Sequence, residues 1–420
     1  MEGFAVRDGA LHAEGVPLAR LAREVGTPTY VYSAGVLRDR YAKLDAALAG
    51  APHRIHYSCK ANGSRGILEV LRAAGSGIDV VSGGELFKAL RAGFAPEDIL
   101  FGGVGKQEHE LREALSAGVK LINVESLAEL RLVSKLADEL GTVASIGLRV
   151  NPEVSIQNAH RYIATGAKGH KFGIPIDEVE AVGRIALGLP NVSLRALDMH
   201  VGSQLEAFDA YEEGTARLVE VSIALRKSGA DLRYLDAGGG LPVPYDGEDE
   251  PDLTAYARIV TAAANTLGLE LLVEPGRYFA AASGVLVTRV LYSKETGDKT
   301  YLICDSGMTE LLRPSHYDAF HRIDAVVPRE ERLVADVVGP VCESGDFLAL
   351  DREMEAVEPG DLLAVRTAGA YGYVMSSTYN ARPRVAEVLV DGARWAVVTA
   401  RETYEDLVRL EATAPLWRDA

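Results

Sequence analysis

His56-Tyr57-Ser58-Cys59-Lys60-Ala61-Asn62 is the stretch on which the reading of this chain turns. Arg54 to Ser58 is rich in β-branched and aromatic residues, and Asn62-Gly63 breaks the run. A helical pattern follows from Ser64, with Ile67, Leu68, Val70 and Leu71 on its apolar side. Lys60 therefore stands where a strand hands over to a helix. A lysine at the mouth of a parallel sheet can serve as an amine nucleophile, because partial desolvation lowers its proton affinity. Taken alone, it reads more simply as a surface lysine near a turn.

The same strand-then-helix rhythm recurs downstream. Strand-like segments fall at residues 56–58, 77–81, 99–101, 120–124, 145–150, 194–199, 234–236 and 270–273. Helical patterns fill the gaps, among them 84–92, 107–117, 127–140 and 211–227. Eight such units over this length predict a (β/α)8 TIM-type barrel. An open doubly wound sheet is the alternative, but it would not bring the first and eighth strand ends together. In a barrel the C-terminal strand ends carry the chemistry. Lys60, His200, Gly238-Gly239-Gly240 and Glu274 are then expected on one rim.

From about residue 281 strand-like runs dominate, at 285–291, 300–303, 332–338, 362–365, 385–390 and 394–398. Residues 1–32 read as a short strand, a turn at Asp8-Gly9, a helix near residues 17–25 and an extended entry at 27–32. The expected division is a barrel over 33–280. Residues 281–420 form an all-β, barrel-like domain that also takes in the N-terminal strand and residues 1–32.

With 44 basic and 60 acidic residues, the formal net charge is −16, which argues against nucleic acid and anionic membrane as partners. No run approaches a membrane span, and Met1-Glu2-Gly3-Phe4 lacks the features of a signal peptide. Cys59, Cys304 and Cys342 lie far apart without metal-type spacing, so no metal is expected. A sparse, odd set fits a reducing cytoplasm.

Gly238-Gly239-Gly240 follows a strand, and such a turn can offer backbone N–H groups to an anion. Glu274-Pro275-Gly276-Arg277 adds a second turn, a carboxylate and a guanidinium. A lysine, a phosphate cradle and a carboxylate on one rim suggest pyridoxal 5'-phosphate. The lysine links to the cofactor and the turn holds its phosphate. The carboxylate keeps the pyridine nitrogen protonated, which makes the ring a strong electron sink. His200 is placed to lie against the ring; otherwise it is an ordinary histidine at a strand end.

At the level of whole motifs, the chain resembles the diaminopimelate decarboxylases, of the alanine-racemase-like fold class of pyridoxal-phosphate enzymes. The motifs are Tyr57-Ser-Cys-Lys60-Ala-Asn62, His200-Val-Gly-Ser203-Gln204-Leu205, Gly238-Gly-Gly240 and Glu274-Pro-Gly-Arg277. They continue with Arg313-Pro-Ser-His-Tyr317 to His321, Gly339-Pro-Val-Cys342-Glu343-Ser344-Gly345-Asp346 and Ala368-Gly-Ala-Tyr371-Gly. They run in order over nearly the whole chain. Cys59 stands where the family usually has another small residue.

The resemblance implies decarboxylation of meso-2,6-diaminopimelate to L-lysine. It implies that Lys60 carries the cofactor, His200 stacks on it, and Glu274 pairs with its ring nitrogen. Ser203, Gly238, Gly239, Gly240, Gly276 and Arg277 surround the phosphate. Arg277, Arg313 and Tyr317 contact substrate, and Tyr371 lies between cofactor and substrate. Cys342 returns the proton and Glu343 reads the distal ammonium, both from the partner subunit of a homodimer. Read without the family, Cys342 would be a buried structural thiol, Arg313 and Tyr317 a helix-surface pair, and Tyr371 turn packing.

Rival readings are a sister decarboxylase acting on ornithine, arginine or carboxynorspermidine, a racemase, and a non-catalytic pyridoxal-phosphate-binding regulator. Against the sister enzymes, Arg313 suits a second carboxylate, and their usual aspartate-glycine after the cysteine is here Glu343-Ser344. Glu274 argues against a racemase, which places an arginine at the ring nitrogen. Retention of Lys60, Cys342, Glu274 and the glycines argues against a pseudoenzyme. The polar stretch at residues 157–170, after the fifth strand, is a plausible lid.

Overall fold

The computed structural model describes residues 3–154, 170–205, 207–412, 414, 417 and 418. They divide into two compact units, Val36–Ala281 and Met1–Gly35 with Ala282–Ala420. The expected lid at 157–170 lies outside the described residues, His170 excepted.

The first unit is built on β1 (His53–Ser58), β2 (Gly77–Val80), β3 (Ile99–Phe101), β4 (Leu121–Val124), β5 (Ala144–Asn151), β6 (Val192–Met199), β7 (Tyr234–Asp236) and β8 (Glu270–Val273). Each pairs in parallel with the next, β8 pairs with β1, and β4 pairs with β5, so the eight strands close into a barrel. Residues Ile174–Pro175 add a short pairing beside β5. Every residue of β2, β3 and β4 is buried, as expected for strands covered on both faces.

The register sorts the inner face into layers. Ser58 pairs with Asp79, Asp79 with Leu100, and Leu100 with Leu121. Asn123 pairs with Gly147, Arg149 with Asp198, and Asp198 with Asp236. Leu100, Leu121, Ala196 and Leu272, with Tyr234 against them, form one apolar layer. Two residues beyond Leu121, Ala196, Tyr234 and Leu272 come Asn123, Asp198, Asp236 and Glu274, and the register sets Arg149 and Asp79 on the same inner face. The barrel interior thus turns from apolar to acidic as it approaches the C-terminal strand ends. Gly147 makes room for Asn123, whose amide oxygen a Cβ there would strike.

The second unit is a branched nine-stranded sheet. The N-terminal strand Thr29–Ser33 lies inside it, antiparallel to Gly284–Thr296 and parallel to Ala386–Asp391. Its core joins Leu18 and Leu21 of the helix Leu18–Val25 to Val31, Val285, Val287, Val388 and Val390. The turn at Asp8-Gly9 closes a hairpin of Phe4–Arg7 with Ala10–Ala13, both turn residues having positive φ.

Some elements differ from the sequence reading. The strand Phe347–Glu355 was not anticipated, because Asp351, Arg352 and Glu353 interrupt its apolar pattern in a half that is largely exposed. Gly284–Thr296 runs past residue 291, because its exposed end pairs with Lys299–Cys304. The first barrel strand starts at His53, where His53 and Arg54 find Leu271 and Leu272 as partners.

Removing a side chain from the apolar layer tests the barrel reading. Leu121→Ala leaves a cavity where no solvent reaches and should cost about 2–5 kcal/mol, read as a lowered urea midpoint. A change within about 0.5 kcal/mol would contradict the inward assignment of Leu121.

Candidate active site at the C-terminal strand ends

β1 ends at Ser58, and one short 3-10 turn, Cys59–Ala61, then carries Lys60. The lysine is therefore set just beyond the strand end. Its Nζ lies 3.4 Å from Asp79 Oδ2, and Ser58 Oγ donates to the same oxygen at 2.7 Å. Its side chain is 35% exposed while that of Asp79 is only 2% exposed. The amine thus reaches open space while a buried carboxylate holds it from below.

β6 hands over to His200, β7 to the glycine turn and β8 to Glu274. Gly239 N–H donates to His200 Nδ1 at 3.2 Å, which leaves the ring proton on Nε2. Burial, Lys60 and Arg149 together hold this imidazole well below its ordinary range, so it is neutral.

The glycines are dictated by crowding where strand ends converge. A Cβ at Gly238 would strike the Met199 carbonyl, one at Gly239 that of Glu274, and one at Gly240 that of Gly202. Gly238 and Gly240 also have φ of +67° and +118°. The expected cradle is narrower than the sequence suggested. Gly238 N–H is taken by Asp236 Oδ1 at 2.9 Å and Gly239 N–H by His200. Among the described residues the Gly240 N–H has no internal acceptor. Beside it, Arg277 Nε and Nη2 each donate to Ser203 Oγ at 3.1 Å, and Nη1 donates to Tyr245 at 3.0 Å. A Cβ at Gly276, which precedes the short helix Arg277–Ala280, would come within 3.0 Å of Ser58 and Ala61. The groups at this end that can receive an anion are therefore a buried guanidinium, a hydroxyl and the Gly240 N–H.

Glu274 completes the rim. Burial, reinforced by Asp236, Asp79 and Asp198, raises its carboxyl well above the ordinary range, against the pull of Lys60. Its Oε1 is buried and accepts from no N–H or hydroxyl among the described residues, while its carboxyl lies within hydrogen-bonding reach of Asp236. The structure thus brings Lys60, His200, Ser203, Gly238 to Gly240, Glu274, Gly276 and Arg277 to the same barrel end.

The remaining candidates belong to the β domain. Arg313 and Tyr317 begin and end one short helix, Arg313–Tyr317. Arg313 is buried rather than on the surface. Its Nη1 donates to His321 Nε2 at 2.8 Å, and His321 Nδ1 donates to the Arg366 carbonyl at 2.9 Å. One imidazole therefore fixes the guanidinium. Cys342 and Glu343 are exposed, in the loop Gly339 to Asp346. That placement excludes the buried structural thiol that Cys342 alone would suggest. Asp346 builds this loop from inside by accepting from Val341 N and Met308 N, both at 2.6 Å. Cys342 N–H donates to Asn380 Oδ1 at 2.9 Å. Gly345 of the same loop lies against Ser315 of the Arg313–Tyr317 helix. Tyr371 sits at φ +54°, a left-handed conformation that a bulky residue adopts only at a cost.

Sequence reasoning missed Asp79, Asp198 and Asp236, along with His321, Asp346 and Asn380. The aspartates were visible at strand ends, but their inward direction needs the register. His321 lay within a quoted motif without a role.

Residues 34–281 match the family model described as pyridoxal-dependent decarboxylase, pyridoxal binding domain. A diaminopimelate decarboxylase of Pseudomonas aeruginosa is 46% identical over 99% of this chain and 100% of its own length. Among solved structures, diaminopimelate decarboxylase from M. jannaschii, in co-complex with L-lysine, is 32% identical with a TM-score of 0.93, covering 99% of this chain and 98% of that one. The Helicobacter pylori enzyme, complexed with L-lysine, is 38% identical with a TM-score of 0.91, covering 94% and 99%.

The acidic layer has a measurable signature. Burial, reinforced by Glu125 and Asp79 against the pull of Arg149, raises Asp198 from 3.8 to about 7. A folded value above the unfolded one means that its stabilisation is present below about pH 4 and lost as pH rises through about 7. Asp198→Asn, which does not titrate, should therefore gain in stability relative to the unsubstituted, ligand-free protein as pH rises between those limits. Parallel stability-against-pH curves for the two proteins would refute this.

Proposed function

The chain belongs to the pyridoxal-dependent decarboxylases, in their diaminopimelate decarboxylase branch, and on that premise we propose that it converts meso-2,6-diaminopimelate to L-lysine and carbon dioxide with pyridoxal 5'-phosphate as cofactor. It is a carboxy-lyase acting in the last step of lysine biosynthesis. The observation that carries the reading is the composition of one barrel rim. There a reaching lysine, a glycine, serine and arginine anion site, and a buried glutamate with an oxygen that accepts from no described N–H or hydroxyl stand together.

Those residues fit the cofactor. A cradle that Cβ atoms would fill suits a phosphate, and a buried carboxyl oxygen without an N–H or hydroxyl donor among the described residues suits a cationic ring N–H. When bound, the cofactor supplies an electron sink for the pair left behind as carbon dioxide departs. Lys60, itself held by Asp79, would be the residue that binds it covalently. Ser203, Arg277 and the turns at Gly238 to Gly240 and Gly276 would hold the phosphate. Glu274 would pair with the ring nitrogen, and neutral His200 would lie against the ring without adding a competing charge. Tyr371 would contact both cofactor and substrate.

Arg277, Arg313 and Tyr317 orient the substrate. Arg313, bonded to His321, brings a guanidinium to pair with the distal carboxylate that diaminopimelate has and ornithine lacks. Glu343 accepts from the distal ammonium. Cys342 returns the proton: its S–H breaks as the new C–H forms, and Asn380 and Asp346 hold the loop in place. Cys342 and Glu343 act in the site of a second copy, in a homodimer. A cytoplasmic location fits three free cysteines and an acidic surface. No described helix is long and apolar enough to cross a membrane.

The test is carbon dioxide release from meso-diaminopimelate, L-lysine, L-ornithine and L-arginine with the cofactor present. Release confined to diaminopimelate is expected, and preference for ornithine or arginine would transfer the chain to a sister activity. Lys60→Ala should abolish both cofactor absorbance and turnover. Cys342→Ser should lower kcat by about 10²–10⁴ without loss of cofactor. Unchanged kcat would remove Cys342 from the proton-transfer role.

A further inference from the structure

The polar layer of the barrel holds more acid than the reaction has asked for. Asp198, Asp236 and Glu274 sit on neighbouring strands β6, β7 and at the end of β8, with one carboxyl oxygen of each within 4.8 Å of the others. All three are buried. Asp198 Oδ1, Asp236 Oδ2 and Glu274 Oε1 accept from no N–H or hydroxyl among the described residues, both amide atoms of Asn123 in the same layer are unpartnered, and the Asp236 and Glu274 carboxyls lie within hydrogen-bonding reach of each other. Asp79 adds a further carboxylate. The facing cations are Arg149, which lies 3.1 Å from Glu125, and Lys60, which lies on Asp79. Carboxylates so close and so dry cannot all be charged; they share protons.

We propose that Asp198 and Asp236 are positioning residues of the cofactor site, forming with Glu274 a proton-sharing acid layer that keeps the ring nitrogen of pyridoxal phosphate protonated. The inference rests on the reading of Glu274 as the partner of that nitrogen. A single carboxylate beside a pyridine nitrogen competes with water for the proton. A layer that already carries protons gives one up on contact: the carboxyl O–H of Glu274 breaks, the ring N–H forms, and the carboxylate stays behind as counter-ion. Asp198 and Asp236 then favour the cation by their own negative potential, in a medium where charges are poorly screened. Asp236 has a second link to the site, since its other oxygen, Oδ1, accepts from Gly238 N–H and so sets the glycine turn. The raised proton affinities of all three groups agree with this arrangement.

The experiment uses Asp236→Asn and Asp198→Asn. Asparagine keeps the size and, at position 236, the Oδ1 acceptor for Gly238. Dissociation constants are measured for pyridoxal 5'-phosphate and for its 1-deaza analogue, in which C–H replaces the ring nitrogen. Each variant should bind pyridoxal phosphate about tenfold or more weakly, one pKa unit of lost proton affinity being tenfold, while its affinity for the analogue stays within about twofold of the unsubstituted protein. Equal weakening of both compounds would reduce the aspartates to a structural role and overturn the inference. No change in either would overturn it as well. If the unsubstituted protein binds neither compound, the cofactor reading itself falls. Should one variant fail to fold, the other, on the adjacent strand, carries the same comparison.

Discussion

Closing eight parallel strands into a ring forces their C-terminal ends to converge, and side chains that point inward there have nowhere to go but toward one another. In this chain Asp79, Asp198, Asp236 and Glu274 point that way, opposed by Arg149 and Lys60. The apolar layer of Leu100, Leu121, Ala196 and Leu272 beneath them keeps water out. Burial of charge is costly, and here it is met by sharing protons rather than by pairing alone. The same convergence explains the glycines, since a Cβ at Gly238, Gly239 or Gly240 would collide with a backbone carbonyl of a neighbouring strand end.

This constraint orders the rest of the rim. A dry acidic floor attracts cationic groups and repels anions, so an anionic phosphate needs its own shelter. Arg277 and Ser203 give it one beside Gly240, away from the carboxylates. His200 stays neutral because burial and two nearby cations disfavour its protonated form. One end of the barrel thus separates a place for negative charge from a place for positive charge. A ligand bearing both, a phosphate and a protonatable ring nitrogen, matches that division.

Much of the architecture was legible because strands buried on both faces leave short, mostly apolar runs, as at Ile99–Phe101, Tyr234–Asp236 and Glu270–Val273, whose limits the sequence reading matched. Lys60, Gly238 to Gly240 and Glu274 were legible as candidates because chemistry collects where such runs stop. What escaped was whatever depends on direction or on distant pairing. Asp198 and Asp236 looked like ordinary strand residues, since only the register with Arg149 and Leu272 turns them inward. His321 was adjacent in motif to Arg313, but their bond requires the helix Arg313–Tyr317 to fold back. The strand Phe347–Glu355 hid behind its own charges.

The β domain meets a different physical problem, because its candidate residues lie on loops. A barrel rim is held by a closed sheet, whereas Cys342 and Glu343 are exposed and belong to neither strand nor helix. Such a loop is precise only if its backbone is tied down. Asp346 supplies that from the buried side, through Val341 and Met308, with Gly307 and Gly339 left bare because any Cβ there would strike its carboxylate. Asn380, itself at φ +57°, ties the Cys342 backbone. Strained backbone persists where surrounding contacts over-determine it. The left-handed Asn380 is such a case: its backbone conformation is accepted where its side chain fixes the Cys342 loop on an otherwise irregular surface.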